Sequence, residues 1–265
     1  GIVGCLTAIR LIENGYDVTM VDRSVIGEES SAAGAGIIFP LMPWNYKSRV
    51  YELCLDALSF YKNFSKKLIK YGFEDPEFIE SGMICIEPED KREILQWAKK
   101  NNFRINEYLF HNRPAYELLK VAQINPKKLM ISIKQYLLEL GVNLIENVRM
   151  SKIENKSNYL KEWPTESNGF IKGDLFVTTL GAWSSEINDD LRNRIYPIRG
   201  QVIIYPKSEI KLDKILYKDD FYLLQRKCGS ILAGSTVENV GFDKTTSIEA
   251  LKELNEKAVN LIPEL

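Results

Sequence analysis

Two glycines, an apolar helix, a turn and a strand ending on an aspartate constrain this chain more than any other stretch of it. Gly1-Ile2-Val3-Gly4 leads into Cys5-Leu6-Thr7-Ala8-Ile9-Arg10-Leu11-Ile12, whose apolar spacing predicts a helix packed on a sheet. Glu13-Asn14-Gly15-Tyr16-Asp17 breaks it, and Val18-Thr19-Met20-Val21 reads as a short strand that stops at Asp22. This is the second half of a dinucleotide-binding βαβ unit. The G-x-G-x-x-G fingerprint uses one glycine for a tight turn, one for backbone approach to a pyrophosphate and one for close helix–strand packing. Gly1 and Gly4 take the last two places, so the first glycine and its strand are expected to precede Gly1 and the chain reads as a fragment. The helix start offers N–H groups to an anion, and an acid where Asp22 stands bonds ribose hydroxyls. An ordinary turn before a core helix would carry the same glycine pair; the helix, Gly15, strand and Asp22 in register favour the nucleotide.

Composition excludes several function classes. At 265 residues the chain can form one large domain or two of moderate size. Lys+Arg 35 against Asp+Glu 36 leaves no basic excess for a nucleic-acid partner. Cys5, Cys54, Cys85 and Cys228 are far apart, which suggests neither a disulfide framework nor a metal cluster and predicts free thiols in a cytoplasmic protein. No apolar run approaches the roughly 18 residues of a membrane span.

After Asp22-Arg23, the stretch from Ser24 to Gly36 is rich in small residues and runs straight into Ile37-Ile38-Phe39-Pro40. A flexible linker would explain the small residues but not the apolar run that follows them. The alternative is a large flat ligand lying against the backbone.

Gly-Ile-Val-Gly, the strand ending at Asp22-Arg23, and Ser30-Ser31-Ala32-Ala33-Gly34-Ala35-Gly36 together resemble the opening of the FAD-dependent D-amino-acid oxidase family, especially its glycine oxidase branch. The resemblance implies FAD as cofactor, held by Gly1, Ile2, Val3, Gly4, Asp22, Arg23, Ser30, Ser31, Ala33, Gly34, Ala35 and Gly36. Ile37 and Ile38 would then limit the substrate pocket beside the flavin.

Further along, helical spacing covers residues 46–71, Met83-Ile84-Cys85-Ile86 is a buried strand, and a polar helix spans 89–100. An irregular segment to Gln123 contains His111, the only histidine, which leaves no triad or zinc site to build. Asn125-Pro126 caps a helix that ends at Gly141, and residues 142–145 form a strand returning to the nucleotide-binding sheet. Val148, soon after, matches the position whose backbone contacts the adenine in relatives. Residues 152–172 read as a polar hairpin and 174–179 as a buried parallel-type strand running into Gly181-Ala182-Trp183-Ser184. That ending resembles the family's second flavin-contacting loop, which adds Gly181 and Trp183 to the cofactor set. By itself it would be a strand-to-helix turn with a core tryptophan.

Pro197-Ile198-Arg199-Gly200-Gln201, Tyr222-Leu223-Leu224-Gln225-Arg226 and Gly234-Ser235-Thr236-Val237-Glu238 are similar in order to the family's substrate domain, so the resemblance covers the whole chain. It implies an α/β (α+β) architecture in which a Rossmann-like FAD-binding domain, residues 1–78 and 126–196, is interleaved with an antiparallel-sheet substrate domain, residues 79–125 and 197–265. In the family a later segment carries a substrate-binding Arg and a final FAD-binding strand; no residue here matches it.

The implied activity is oxidation of the C–N bond of a small amino acid or amine by hydride transfer to FAD, with molecular oxygen as acceptor. Tyr222 would position substrate. Arg226 would hold the pocket strand or attract a carboxylate, with a surface salt bridge as an equal account. Neither nucleic acid nor a membrane is called for, and self-association into a homo-oligomer is left open. Sarcosine oxidases, glycerol-3-phosphate dehydrogenases and the flavin domain of a tRNA-modifying aminomethyl-uridine enzyme share the frame, so fold alone does not choose the substrate. An NAD-dependent dehydrogenase or an inactive nucleotide-binding remnant are the rivals of other classes. The Ser30 to Gly36 stretch and Gly181-Ala182-Trp183 speak against NAD.

Overall fold

A computed structural model describes residues 1–45, 48–152, 160–187, 191, 194–207 and 209–265. The first half of the chain forms α1 (Ile2–Glu13), β1 (Thr19–Val21), α2 (Ser30–Ala33), β2 (Ile37–Ile38), α3 (Ser48–Cys54), α4 (Ala57–Lys70), β3 (Met83–Ile86), α5 (Lys91–Lys100), β4 (Ile105–Phe110), β5 (Arg113–Leu118) and β6 (Ala122–Gln123). The second half forms α6 (Pro126–Glu139), β7 (Asn143–Ile145), β8 (Glu162–Pro164), β9 (Phe170–Lys172), α7 (Ser184–Ile187), β10 (Val202–Tyr205), β11 (Ile215–Lys218), β12 (Phe221–Gln225), β13 (Ile231–Gly234) and α8 (Ile248–Leu261).

The expected nucleotide-binding unit is built as the glycine and apolar spacing demands. α1 buries Cys5, Ala8 and Ile9 against Leu129, Ile133, Tyr136 and Leu137 of α6 and Phe64 and Leu68 of α4. α6 begins at Asn125, whose side chain accepts a bond from the Lys128 N–H, with Pro126 in the first turn where no N–H is needed. Gly141 at φ +80° ends it, and β7 then pairs in parallel with β1, Thr19 opposite Asn143.

The larger sheet has seven strands in the order β10-β13-β12-β11-β3-β5-β4. Every pair is antiparallel except β11 with β3, where the chain from 202–234 meets the chain from 83–118. Strand alternation divides its side chains between two cores. Phe221 and Leu223 face α8, with Ile84, Ala233, Leu254 and Ala258. Tyr222 and Leu224 face the opposite way, toward Ala35, Ile37, Phe39, Leu41 and Trp44.

The structure departs from the sequence expectations in four places. The helix expected over 46–71 is two helices, α3 and α4, with Leu55 and Asp56 between them; residues 46–47 lie outside the described residues. Only the second part of its apolar stripe is buried: Tyr61, Phe64 and Leu68 join the α1/α6 core, whereas Val50 and Leu53 on α3 are exposed and Tyr51 is the residue that packs, on Trp97. The segment expected to be irregular up to Gln123 contains the β4–β5 hairpin, turned at His111 and Asn112 with φ of 47° and 64°. His111 is thus a turn residue, stacked on Phe110. β11, which the sequence reading leaves unassigned, pairs with β12 across a turn at Asp219 and Asp220, both at positive φ. Residues 174–179, expected as a buried parallel strand, form no strand and join no sheet among the described residues, and Leu175 and Val177 are 73% and 53% exposed. The polar hairpin expected over 152–172 is β8 with β9, while residues 153–159 lie outside the described residues.

Candidate active site

At the N-terminal end of α1 the first-turn N–H groups of Val3 and Gly4 have no intrahelical acceptor, as at any helix start. The Ile2 N–H is already taken, donating to Ser31 Oγ at 2.9 Å, so α2 is tied to this helix end by its own serine. A Cβ on Gly4 would lie 2.6 Å from Thr179 Oγ1, so any side chain here would force the Thr179 hydroxyl to shift.

Asp22 stands beside that helix end. Its Oδ2 is 3.5 Å from the Gly1 nitrogen, and its Oδ1 accepts from the Ser24 N–H at 3.1 Å. The Val148 N–H donates to the Asp22 carbonyl at 3.0 Å. The Val148 N–H is thus used within the protein, at the end of the strand that carries Asp22. Helix N–H donors, an adjoining carboxylate acceptor and close-packed glycine backbone are the groups that suit a diphosphate joined to a ribose.

Ser30 and Ala33 bound the short helix α2, and Gly34 follows as its extended C-terminal residue. Gly36, at φ +69°, is where the chain turns into β2, and a Cβ there would lie 2.1 Å from the Ile124 carbonyl oxygen. β2 then splits the two isoleucines. Ile37 packs with Tyr222, Met83 and Leu232 on the large sheet, while Ile38 packs into the α1/α6 core. Placing both in one pocket is therefore corrected: successive residues of a strand face opposite ways.

Tyr222 is 7% exposed on the same sheet face as Ile37. Burial raises its phenol above the ordinary range, against smaller opposing effects of Ser235 and Arg226. It is therefore a neutral hydrogen-bonding group, not a base.

Arg226 is not a pocket cation. Its Nη2 donates to the Ala35 carbonyl at 2.7 Å, and its Nη1 to the Ile124 carbonyl at 2.8 Å and Gln123 Oε1 at 3.3 Å. Among the described residues no carboxylate pairs with it, so the salt-bridge account falls too. Of the readings open in the sequence, holding the strand is the one the geometry supports.

Gly181 begins a single 3-10 turn through Trp183 at φ +54°. Trp183 is flanked by two residues, with the Arg23 guanidinium carbon 3.9 Å from its ring centre and the Phe242 ring stacked at 5.2 Å. Arg23 also lies 4.0 Å from Glu29 and 3.9 Å from Glu186. Sequence reasoning assigned Arg23 and Trp183 each to the cofactor but not to one another, and missed Phe242. It also missed Gly234 and Val202, which enclose Tyr222. Among the described residues no group of acidic, cysteine and histidine side chains could hold a metal ion, and no helix is long and apolar enough to cross a membrane.

Comparison with known proteins bears on this arrangement. A family model described as FAD dependent oxidoreductase, DAO, matches residues 1–265. A glycine oxidase of Pseudomonas aeruginosa is 32% identical over 289 residues, covering 100% of this chain and 77% of that protein. A glycine oxidase of Pseudomonas putida is 30% identical over 280 residues, covering 100% of this chain and 76% of the other. Among solved structures, glycine oxidase from Bacillus cereus has the same fold, with a TM-score of 0.89 at 20% identity over 100% of this chain and 76% of its own.

Proposed function

The chain belongs to the DAO family of FAD-dependent oxidoreductases, and from that premise we propose that it oxidises the C–N bond of a small amino acid or amine, glycine or sarcosine first, with molecular oxygen as the final acceptor. The single observation that carries the substrate class is the 32% identity to a glycine oxidase across the full length of this chain.

Bound FAD supplies the two-electron oxidant in such a reaction. The protein's part is to hold, orient and enclose. In this reading the N–H groups of Val3 and Gly4 receive the pyrophosphate and Asp22 the ribose hydroxyls. Ser31, bonded to Ile2, keeps the Ser30 to Gly36 stretch against that helix end. Residues 1–78 with 126–196 then serve the cofactor, and residues 79–125 with 197–265 the substrate.

Tyr222 and Ile37 share the apolar face on which a small substrate would lie. The neutral phenol donates or accepts a hydrogen bond that orients the amine or carboxylate without removing a proton. Enclosure by Ile37 and Phe39 keeps water from the reacting carbon and limits the size of its substituents. The cysteines are unpaired, which fits the cytoplasm we infer as its compartment.

The deciding experiment is the visible spectrum of the full-length gene product, followed anaerobically while glycine, sarcosine and D-alanine are added in turn. Bleaching of the flavin band by one of them is expected. A flavin band that none of them bleaches would sink the amine-oxidase reading and leave the family.

A further inference from the structure

Arg226 sits where three parts of the chain converge, and its bonds are unusual for an arginine. Its partners are neutral: the carbonyls of Ala35 and Ile124 and the side-chain oxygen of Gln123. The nearby buried carboxylate, Glu77, is occupied elsewhere, by Lys128 at 3.0 Å and Asn125 at 3.0 Å. Burial depresses the guanidinium's pKa from its ordinary value, with Glu77 pulling the other way. A lone surface charge would gain nothing from such a place. A planar fork that must reach two carbonyls on separate segments would.

Those two segments meet side by side at Arg226. Ala35 belongs to the small-residue stretch, whose next residue, Gly36, accepts from the Ile124 N–H at 2.9 Å. The direct bond and the bridge through Arg226 therefore seam Ala35-Gly36 to Ile124 side by side. Arg226 itself is fixed by the β12–β13 hairpin, its N–H donating to the Ser230 carbonyl at 2.9 Å. Four residues back along the same strand direction is Tyr222. Alternation puts Tyr222, Leu224 and Arg226 on one side of that strand.

We propose that Arg226 is a positioning residue: its fork sets the separation between the Ala35 backbone, on the cofactor side, and the strand that carries Tyr222, on the substrate side. The proposal rests on the reading of the site given above. It makes the geometry of hydride transfer depend on a side chain that touches neither reactant. Arg226→Met releases the Ala35 carbonyl altogether. Arg226→Lys keeps the charge but replaces the planar fork, whose two nitrogens reach one carbonyl each, with a single ammonium nitrogen on a flexible stem.

The test uses the full-length holoprotein and two readouts. FAD release is followed by recovery of flavin fluorescence on dilution, and kcat and KM are measured separately with glycine or whichever amine bleaches the wild type. Arg226→Met is expected to release FAD about tenfold faster and to lower kcat by about tenfold or more, since a misplacement of about 1 Å can cost that much or more. Arg226→Lys is expected to recover most of the FAD retention but not kcat. Lys128→Met, which loosens Glu77 in the same neighbourhood, serves as the control for stability alone. The proposal is overturned by either arginine variant matching the wild type in both readouts. It is also overturned by Lys128→Met, at an equal loss of melting temperature, reproducing both changes. Should no amine reduce the wild-type flavin, the substrate reading fails by itself, and FAD release from Arg226→Met still decides the role of Arg226.

Discussion

The phenol of Tyr222 closes over Gly234: a Cβ at residue 234 would lie 2.7 Å from the Tyr222 oxygen and 2.9 Å from its ring carbon Cζ. Val202 Cγ1 presses on the same point at 2.7 Å. Glycine is thus the only residue that leaves the ring where it is. Gly234→Ala should cost about 1–3 kcal/mol by overpacking, read as a lower denaturant midpoint. In the holoenzyme it should raise KM by about tenfold while FAD content stays at the wild-type level. An unchanged KM would remove Tyr222 from the substrate pocket.

Removing only the hydroxyl separates orientation from acid–base work. Because burial holds the Tyr222 phenol above its ordinary value of 10.0, it stays protonated across the range where amines are oxidised. Tyr222→Phe should therefore raise KM and leave the shape of the pH profile of kcat unchanged. Loss of a limb from that profile would make the phenol a proton donor or acceptor and contradict the positioning role.

The parts legible in the sequence were those fixed by local rules. α1, β1, α6 and β7 follow from apolar periodicity, the Asn125-Pro126 cap and the turns at Gly15 and Gly141. What escaped were choices made between distant segments. Strand alternation parts Ile37 from Ile38, but that the pair forms a strand at all depends on β2 pairing with β6 between two cores, which no local signal announces. The apolar spacing of 174–179 was read as a buried strand, yet burial needs neighbours, and spacing alone does not supply them. Arg226 shows the same limit. Its motif located it, but only the fold revealed that carbonyls 102 and 191 residues away would occupy it.

The stack of Arg23, Trp183 and Phe242 joins the end of β1 to the loop before α8. Lys244 reinforces that junction through its pair with Glu29 at 2.6 Å, though at an exposed site that adds little. A double-mutant cycle of Trp183→Leu and Phe242→Leu should give a coupling energy of about 0.5–1.5 kcal/mol in unfolding experiments. The same cycle with Arg23→Met in place of the Phe242 variant should give about 0.5–1 kcal/mol. If the stack also helps close the cofactor site, Trp183→Leu releases FAD faster than the wild type under conditions where both are folded. Additive unfolding energies would show that the rings merely lie near each other.

Acid stability offers a last check, on the network that anchors the strand start beside Gly234. Arg199 donates to Glu238 at 2.6 Å and Gln201 donates to the other carboxylate oxygen at 2.7 Å. Arg199 first, then Thr236 and Gln201, hold the Glu238 carboxyl down from its ordinary value of 4.5 to about 2. A carboxylate whose folded pKa is depressed stabilises the fold fully above its unfolded value and loses that contribution as the pH falls toward the folded one. The window is therefore from 4.5 down to about 2. Glu238→Gln cannot titrate. Denaturant midpoints should show the wild type more stable than Glu238→Gln near about pH 6, with the gap closing across that window. A gap of constant size at every pH would mean that the carboxylate's charge contributes nothing, and that neutral hydrogen bonds hold Arg199 and Gln201 in place.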